Sequence, residues 1–186
     1  MTPGGGGDGR ELVDWVLRAY EAQERPLFPA IIVLGPFMPV DEQRRFMHRA
    51  EALRLVHVLE FTPTIEHLMA QAMAVVGMGG YNTFCEILSF DKPTLLVPRV
   101  KPRREQAIRA GKAAEAGLVT CLPIDAYPEV DVMIEALAEL PESPPPSEAG
   151  VGDLLSGLDQ INARTAAILA QRERARAPIP LTAASG

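Results

Sequence analysis

The chain has 186 residues, 47% of them hydrophobic and 23% charged, with a formal net charge of −6. That size and balance predict one globular domain with appendages, and the acidic total argues against nucleic acid as a partner. No apolar run approaches the roughly 20 residues that a membrane helix needs, and the glycine-rich start lacks the basic and apolar stretches of a secretion signal, so a cytoplasmic protein is expected.

The elements alternate along the chain. After the glycines, Leu12, Val13, Val16, Leu17 and Tyr20 recur at helical spacing. Ala30 to Leu34 is a short apolar run closed by Gly35 and Pro36, the pattern of a strand buried on both faces. Phe46, Met47, Ala50 and Leu53 outline a second helix, and Leu55 to Leu59 the next strand. Ile65, Leu68, Met69 and Ala72 predict a short helix, followed by a strand over Ala74 to Val76 that ends at Gly77. A helix through Ile87 and Leu88 leads to a strand at Thr94 to Val97, stopped by Pro98. Arg103 to Ala116 reads as helix, Leu118 to Leu122 as strand and Pro128 to Leu140 as helix.

Such alternation predicts an α/β fold, a parallel sheet with helices on both faces. One domain is expected over residues 1–140, and the proline-rich stretch 141–150 reads as a linker. An amphipathic helix is expected over 151–177, with Leu154, Leu158, Ile161 and Ile168 on one face and Arg172, Arg174 and Arg176 near its end. A disordered tail is expected over 178–186. A glycine loop that opens a helix normally follows a strand. Here Thr2-Pro3 leads straight into the glycines, so the first strand of the domain reads as missing.

In a parallel α/β sheet, ligands bind beyond the carboxyl ends of the strands, and three segments fall there. Gly4-Gly5-Gly6-Gly7-Asp8-Gly9 opens the first helix. Backbone amides without Cβ atoms, at a helix N-terminus, can approach an anion; a flexible tail is the plainer reading. Val75 to Glu86 joins a strand through Gly77, Gly79 and Gly80 to a helix, a second anion cradle. Glu86, one turn in, could accept from the vicinal hydroxyls of a ribose, while Thr83-x-x-Glu86 equally fits a capping box. The segment from Pro98 to Gln106 carries Arg99, Lys101, Arg103 and Arg104 ahead of Glu105-Gln106. Those cations suit phosphates, an anionic acceptor or a lipid surface, and the Glu–Gln pair suits sugar hydroxyls; a solvated charged loop is the alternative.

Other chemistries find little support. His48, His57 and His67 lack metal-ligand spacing, and Cys85 and Cys121 read as reduced thiols. There is no nucleophile–base pair, Walker motif or Cys-x-x-Cys, so no catalytic residue, metal or cofactor is expected in this chain. The glycines Gly4, Gly6 and Gly9 satisfy a dinucleotide-binding pattern, but no strand precedes them and the strand after the helix ends Gly35-Pro36-Phe37 with no acidic residue.

The order Gly79-Gly80-x-x-Thr83-x-x-Glu86, Lys92-Pro93, Val97-Pro98, Glu105-Gln106 and Ala114-x-x-Gly117 resembles the C-terminal domain of family 28-type glycosyltransferases, of which the peptidoglycan N-acetylglucosaminyltransferase is the familiar member. It is most similar to a branch of predicted bacterial glycosyltransferases. The resemblance runs from about Gly4 to Leu122 and is strongest from Phe61 to Gly117. It implies the C-terminal, Rossmann-like half of a GT-B fold, which holds a nucleotide-sugar donor, usually UDP-linked. Carried over, Gly4, Gly5, Gly6 and Gly7 would face the cleft and phosphates, and Phe61 and Thr62 would border the base. Gly79, Gly80, Asn82 and Thr83 would meet the diphosphate and Glu86 the ribose. Gln106, with Glu105, would meet the donor sugar, and Arg103 is counted with them among the donor-binding residues. Met78 and Glu105 depart from the residues usual in relatives. The resemblance also implies that the acceptor site and catalytic base lie in an N-terminal Rossmann domain, or a separate subunit, so that this chain alone is silent in transfer. The alternatives are a nucleotide-sugar 2-epimerase domain and a non-catalytic nucleotide-sugar-binding subunit.

Overall fold

The computed structural model describes residues 1–5, 7–22, 27–123, 129–150 and 157–176, without side chains for the last four. The chain divides into two units, Met1–Val151 and Gly152–Gly186.

The first unit is a parallel α/β layer structure. Its strands are β1 (Ala30–Val33), β2 (Val56–Leu59), β3 (Val75–Gly77), β4 (Thr94–Leu96) and β5 (Thr120–Cys121). β1 and β2 pair in parallel, with Ala30 opposite Val56. β3, β4 and β5 form a second parallel ladder, with Val75 opposite Thr94 and Leu95 opposite Thr120. The two ladders are joined by the start of the chain. The Met1 nitrogen donates to the Ile31 carbonyl at 2.7 Å. The Val33 amide donates to the Met1 carbonyl at 3.0 Å, and the Thr2 amide to that of Val76 at 2.9 Å. Thr2 bridges Gly77 in parallel. This corrects the expectation of a glycine loop with no strand ahead of it. Met1 and Thr2 occupy the strand's place, and two residues are too few for a periodic signal.

The helices are α1 (Arg10–Ala22), α2 (Val40–Glu51), α3 (Ile65–Gln71), α4 (Tyr81–Ser89), α5 (Glu105–Glu115) and α6 (Val130–Glu139). Strand side chains alternate between two cores, as a pleated sheet requires. Val76 and Leu95 join α1, α2 and α6, while Val75 and Leu96 join α3, α4 and α5. α1 is buried on more than the one predicted face. Leu12, Val13, Trp15, Val16, Leu17 and Ala19 are all buried, because the helix lies under the sheet and also packs against α2 and α6. Its buried polar groups are satisfied: the Trp15 indole donates to the Glu129 carbonyl at 2.9 Å, and Asp14 accepts from Arg49 at 2.5 Å and Arg18 at 3.1 Å.

Residues 141–150, read as a linker, carry folded turns. Two 3-10 turns, Leu140–Glu142 and Pro146–Ala149, bury Leu140 and Pro146. The Ser147 amide and hydroxyl both donate to the Asp91 carboxylate at 2.7 Å. Prolines suit the first positions of such turns because their missing amides would have no partner there. The predicted helix over 103–116 is shorter, with Arg104 as N-cap. Pro128 lies outside the described residues.

The second unit contributes α7 (Gly157–Arg176), on which Leu158, Ile161, Ile168 and Leu169 are exposed. Leu154 and the expected tail lie outside the described residues. Among the described residues no helix is long and apolar enough to cross a membrane.

Candidate functional site

The loops at the carboxyl edge of the sheet converge because all strands run in parallel. The glycine loop before α1 is backed by the turn after β1. Gly4 and Gly35 both have left-handed backbone, at φ 91° and 97°. A Cβ on Gly35 would lie 2.5 Å from the Gly4 carbonyl oxygen, so only glycine allows this approach. The Thr2 hydroxyl accepts from the Gly4 amide at 3.1 Å. A Cβ on Gly4 would lie 4.0 Å from Thr83 Oγ1, which puts the glycine loop beside the start of α4. The space next to Gly5 is open, as is that next to Gly80. Gly6 lies outside the described residues.

α4 begins at Tyr81 with Gly80 as its N-cap and no side chain capping it. The first amide of this turn to find a helical acceptor is that of Phe84, which donates to the Gly80 carbonyl at 2.8 Å. The amides of Tyr81, Asn82 and Thr83 precede that bond and point out of the helix start. Thr83 is therefore the third residue of the helix. A capping box would need it as the N-cap, so that reading of Thr83-x-x-Glu86 is overturned. Glu86 is half-buried, and its carboxylate has no hydrogen bond or ion pair among the described residues.

The third segment is more tied than its charge suggests. Arg99, after β4, donates to the carboxylates of Asp8 and, at 3.0 Å, Glu105. The Arg99 amide donates to Gln106 Oε1 at 3.4 Å. Glu105 and Gln106, expected free for a sugar, thus each spend one oxygen on Arg99. The reason is local: the chain turns back from β4 into α5 and lays Arg99 against the helix start. Burial works against the Arg99 charge, and the carboxylates of Glu105 and Asp8 more than restore it, so its pKa lies above the ordinary value. Glu105 is held below the usual carboxylate range, first by its own backbone amide and then by Arg99, against some desolvation. Lys101, Arg103 and Arg104 are exposed and form no ion pair among the described residues. A cavity of about 610 Å³ opens here, lined by Gly7, Asp8, Arg10, Glu42, Arg99 and Lys101.

Thr62 sits in the loop after β2 beside the exposed Phe61, and its hydroxyl accepts from the Thr64 amide at 3.3 Å. A second cavity, about 450 Å³, lies at the opposite strand ends and is mostly apolar, with Met1, Ile31, Met73 and Leu137 in its lining. Among the described residues no group of three or more His, Cys, Asp or Glu side chains could hold a metal.

Sequence reasoning passed over two residues. Gly35 reads as a strand stop, and its contact with the glycine loop has no local signal. Arg109 falls inside the predicted helix over 103–116 with no motif to mark it, yet its Nη1 donates to the Gly79 carbonyl at 2.7 Å and its guanidinium lies 5.5 Å from the centre of the Tyr81 ring.

The family model described as "glycosyltransferase family 28 C-terminal domain" matches residues 5–145. Among solved structures the chain is similar to the calicheamicin glycosyltransferase, at 20% identity and a TM-score of 0.65 over 95% of this chain and 42% of that one. It is also similar to the kitacinnamycin glycotransferase, at 20% identity and TM-score 0.54 over 79% and 33%. A third likeness is to MurG of Acinetobacter baumannii, at 16% identity and TM-score 0.55 over 83% and 48%. The chain spans less than half the length of each, and at these identities the likeness is one of fold. No curated protein sequence matches the chain.

Proposed function

The chain belongs to the glycosyltransferase family 28 C-terminal domains, with the Rossmann-like α/β fold of the C-terminal half of a GT-B enzyme, and from that premise we propose that it binds the nucleotide-sugar donor, a UDP-sugar, for transfer of a hexosyl group to an acceptor hydroxyl. The observation that carries the reading is the start of α4. Three amides without helical acceptors, and one turn further on a Glu86 carboxylate with no partner among the described residues, lie beside an open glycine loop.

The chemistry follows from the parts. The amides of Tyr81, Asn82 and Thr83 and the positive end of α4 favour a diphosphate. The same groups stabilise the charge that grows on the diphosphate as it leaves, without a metal. Glu86 accepts from the ribose hydroxyls, and Thr62 with Phe61 borders the base. The sugar lies toward Glu105 and Gln106, each of which keeps one polar atom not used by Arg99. Arg103, Lys101 and Arg104 add positive potential at the mouth.

This half binds donor and does not transfer it. General-base assistance contributes about 10²–10⁴-fold, and the base and the acceptor site come from a second Rossmann domain, in the same polypeptide or as a separate subunit.

Calorimetric titration of the 186-residue chain with a panel of nucleoside diphosphate sugars tests the reading. Binding of UDP-sugars without turnover is expected. No affinity for any nucleoside diphosphate would remove donor binding, and sugar transfer by the chain alone would refute the division of labour.

A further inference from the structure

We propose that Arg109 is a positioning residue for the donor diphosphate: by holding the Gly79 carbonyl it sets the orientation of the Gly79–Gly80 peptide at the start of α4. The assignment rests on the donor-binding reading above and adds a residue that neither the sequence motif nor the family match singles out.

The need arises from the two glycines. Gly79 has φ 77° and Gly80 extended backbone, φ −55° and ψ 150°. Glycine populates positive and negative φ about equally, so the peptide between them has little steric reason to face one way. In a trans peptide the carbonyl and the following amide point in opposite directions. One orientation turns the Gly80 amide away from α5. The other puts a carbonyl oxygen there, the negative end of the dipole, beside a site meant for two phosphates.

Arg109 decides between them. Its Nη1 donates to the Gly79 carbonyl at 2.7 Å, across 30 residues of sequence. A charged donor makes this a stronger bond than a neutral pair. The guanidinium carbon lies over the Tyr81 ring, 5.5 Å from its centre, a cation–π contact that limits its freedom. Tyr81 is the first residue of α4, so Arg109 grips the turn on both sides of Gly80. With the Gly79 carbonyl drawn to the α5 side, the Gly80 amide faces away from Arg109. A side chain on Gly80 would meet nothing within 4 Å, so that position stays open to approach. A single guanidinium thus links the loop after β3 to the helix after β4, the two segments that carry the expected donor contacts.

A merely structural tie between α4 and α5 would make different demands. Its loss would lower stability and weaken uridine and UDP alike, since both use the same fold. A positioning role acts only where phosphate is present.

The test compares Arg109→Met and Arg109→Lys with the unaltered chain, measuring melting temperature, UDP affinity by calorimetry and uridine affinity by ligand-observed NMR. We expect the methionine variant to lose about tenfold or more in UDP affinity with uridine affinity unchanged, and lysine, which keeps one charged donor, to recover part of the loss. Equal losses for UDP and uridine, or no loss for either, would overturn the assignment. Should the methionine variant fail to fold, the lysine variant decides by the same ratio. An unaltered chain that binds UDP no better than uridine points instead to failure of the diphosphate site itself, and removes the assignment with it.

Discussion

Arg99 and Asp8, 91 residues apart in sequence, form an ion pair that ties the loop after β4 to the loop that opens α1. The same guanidinium donates to Glu105, so Arg99 stands between two carboxylates and has little net charge to offer an anion. The cations left for an incoming phosphate are Lys101, Arg103 and Arg104. Replacing those three with Ser is expected to flatten the salt dependence of UDP-sugar affinity, because exposed charges are screened within about 8 Å at physiological ionic strength. Arg99→Met is expected to leave that slope in place and lower the melting temperature by a few degrees. Calorimetry at several ionic strengths checks both. An unaltered slope in the triple variant would make the loop a solvated surface.

Glu86→Ala is expected to weaken UDP about 10- to 100-fold, the loss of charge-assisted bonds to two hydroxyls worth roughly 1.5–3 kcal/mol. Its melting temperature should hold, since the carboxylate has no partner among the described residues and α4 is not capped by a side chain. Titration alongside thermal melting separates the two quantities. A lowered melting point with intact affinity would return Glu86 to a structural role.

Two glycine-to-alanine changes should behave in opposite ways. Gly35→Ala places a methyl 2.5 Å from the Gly4 carbonyl at φ 97°, and backbone strain of this kind costs about 1–3 kcal/mol. Its melting temperature should fall. Gly80→Ala has an allowed φ of −55° and open space, so stability should hold or rise by about 0.4–1 kcal/mol. Its UDP affinity should nonetheless drop about tenfold or more, because the methyl occupies the approach to the α4 amides. Retained affinity in Gly80→Ala would show that the diphosphate approaches elsewhere.

Tyr20 predicts an alkaline limit on stability. Burial pushes its phenol up to about 12, and the hydroxyl donates to the Phe28 carbonyl at 2.7 Å. With the folded pKa above the unfolded value of about 10, the contribution is full below pH 10. It is lost as pH rises from there through 12, up to about 2 kcal/mol. Denaturant unfolding across that range should show the decline in the unaltered chain and a smaller one in Tyr20→Phe. Parallel curves for the two would assign the alkaline loss to other groups.

Much of this architecture was legible locally. Short β-branched and leucine-rich runs such as Ala30 to Leu34 and Thr94 to Val97, closed by Gly or Pro, could be read as buried parallel strands because each pattern depends on a few adjacent residues. Parallel strands send every following loop to one edge, so the order of elements alone puts the glycines after β3 and the Glu105-Gln106 pair after β4 on the same edge. What local pattern could not decide was the job of each side chain once there. Whether Thr83 caps α4 depends on where the backbone enters helix, and Gly80 takes that position. Whether Glu105 and Gln106 are free depends on Arg99 folding back onto α5, and its other partner, Asp8, comes from a loop 91 residues away. The strand place filled by Met1 and Thr2 exists only because Ile31, Val33 and Val76 supply hydrogen-bonding groups on either side. Residues 141–150 are shaped by Asp91, 56 positions from Ser147. Propensity and periodicity are properties of neighbours in sequence, whereas a hydrogen bond or ion pair is chosen by neighbours in space, and those are set by how the layers close on one another.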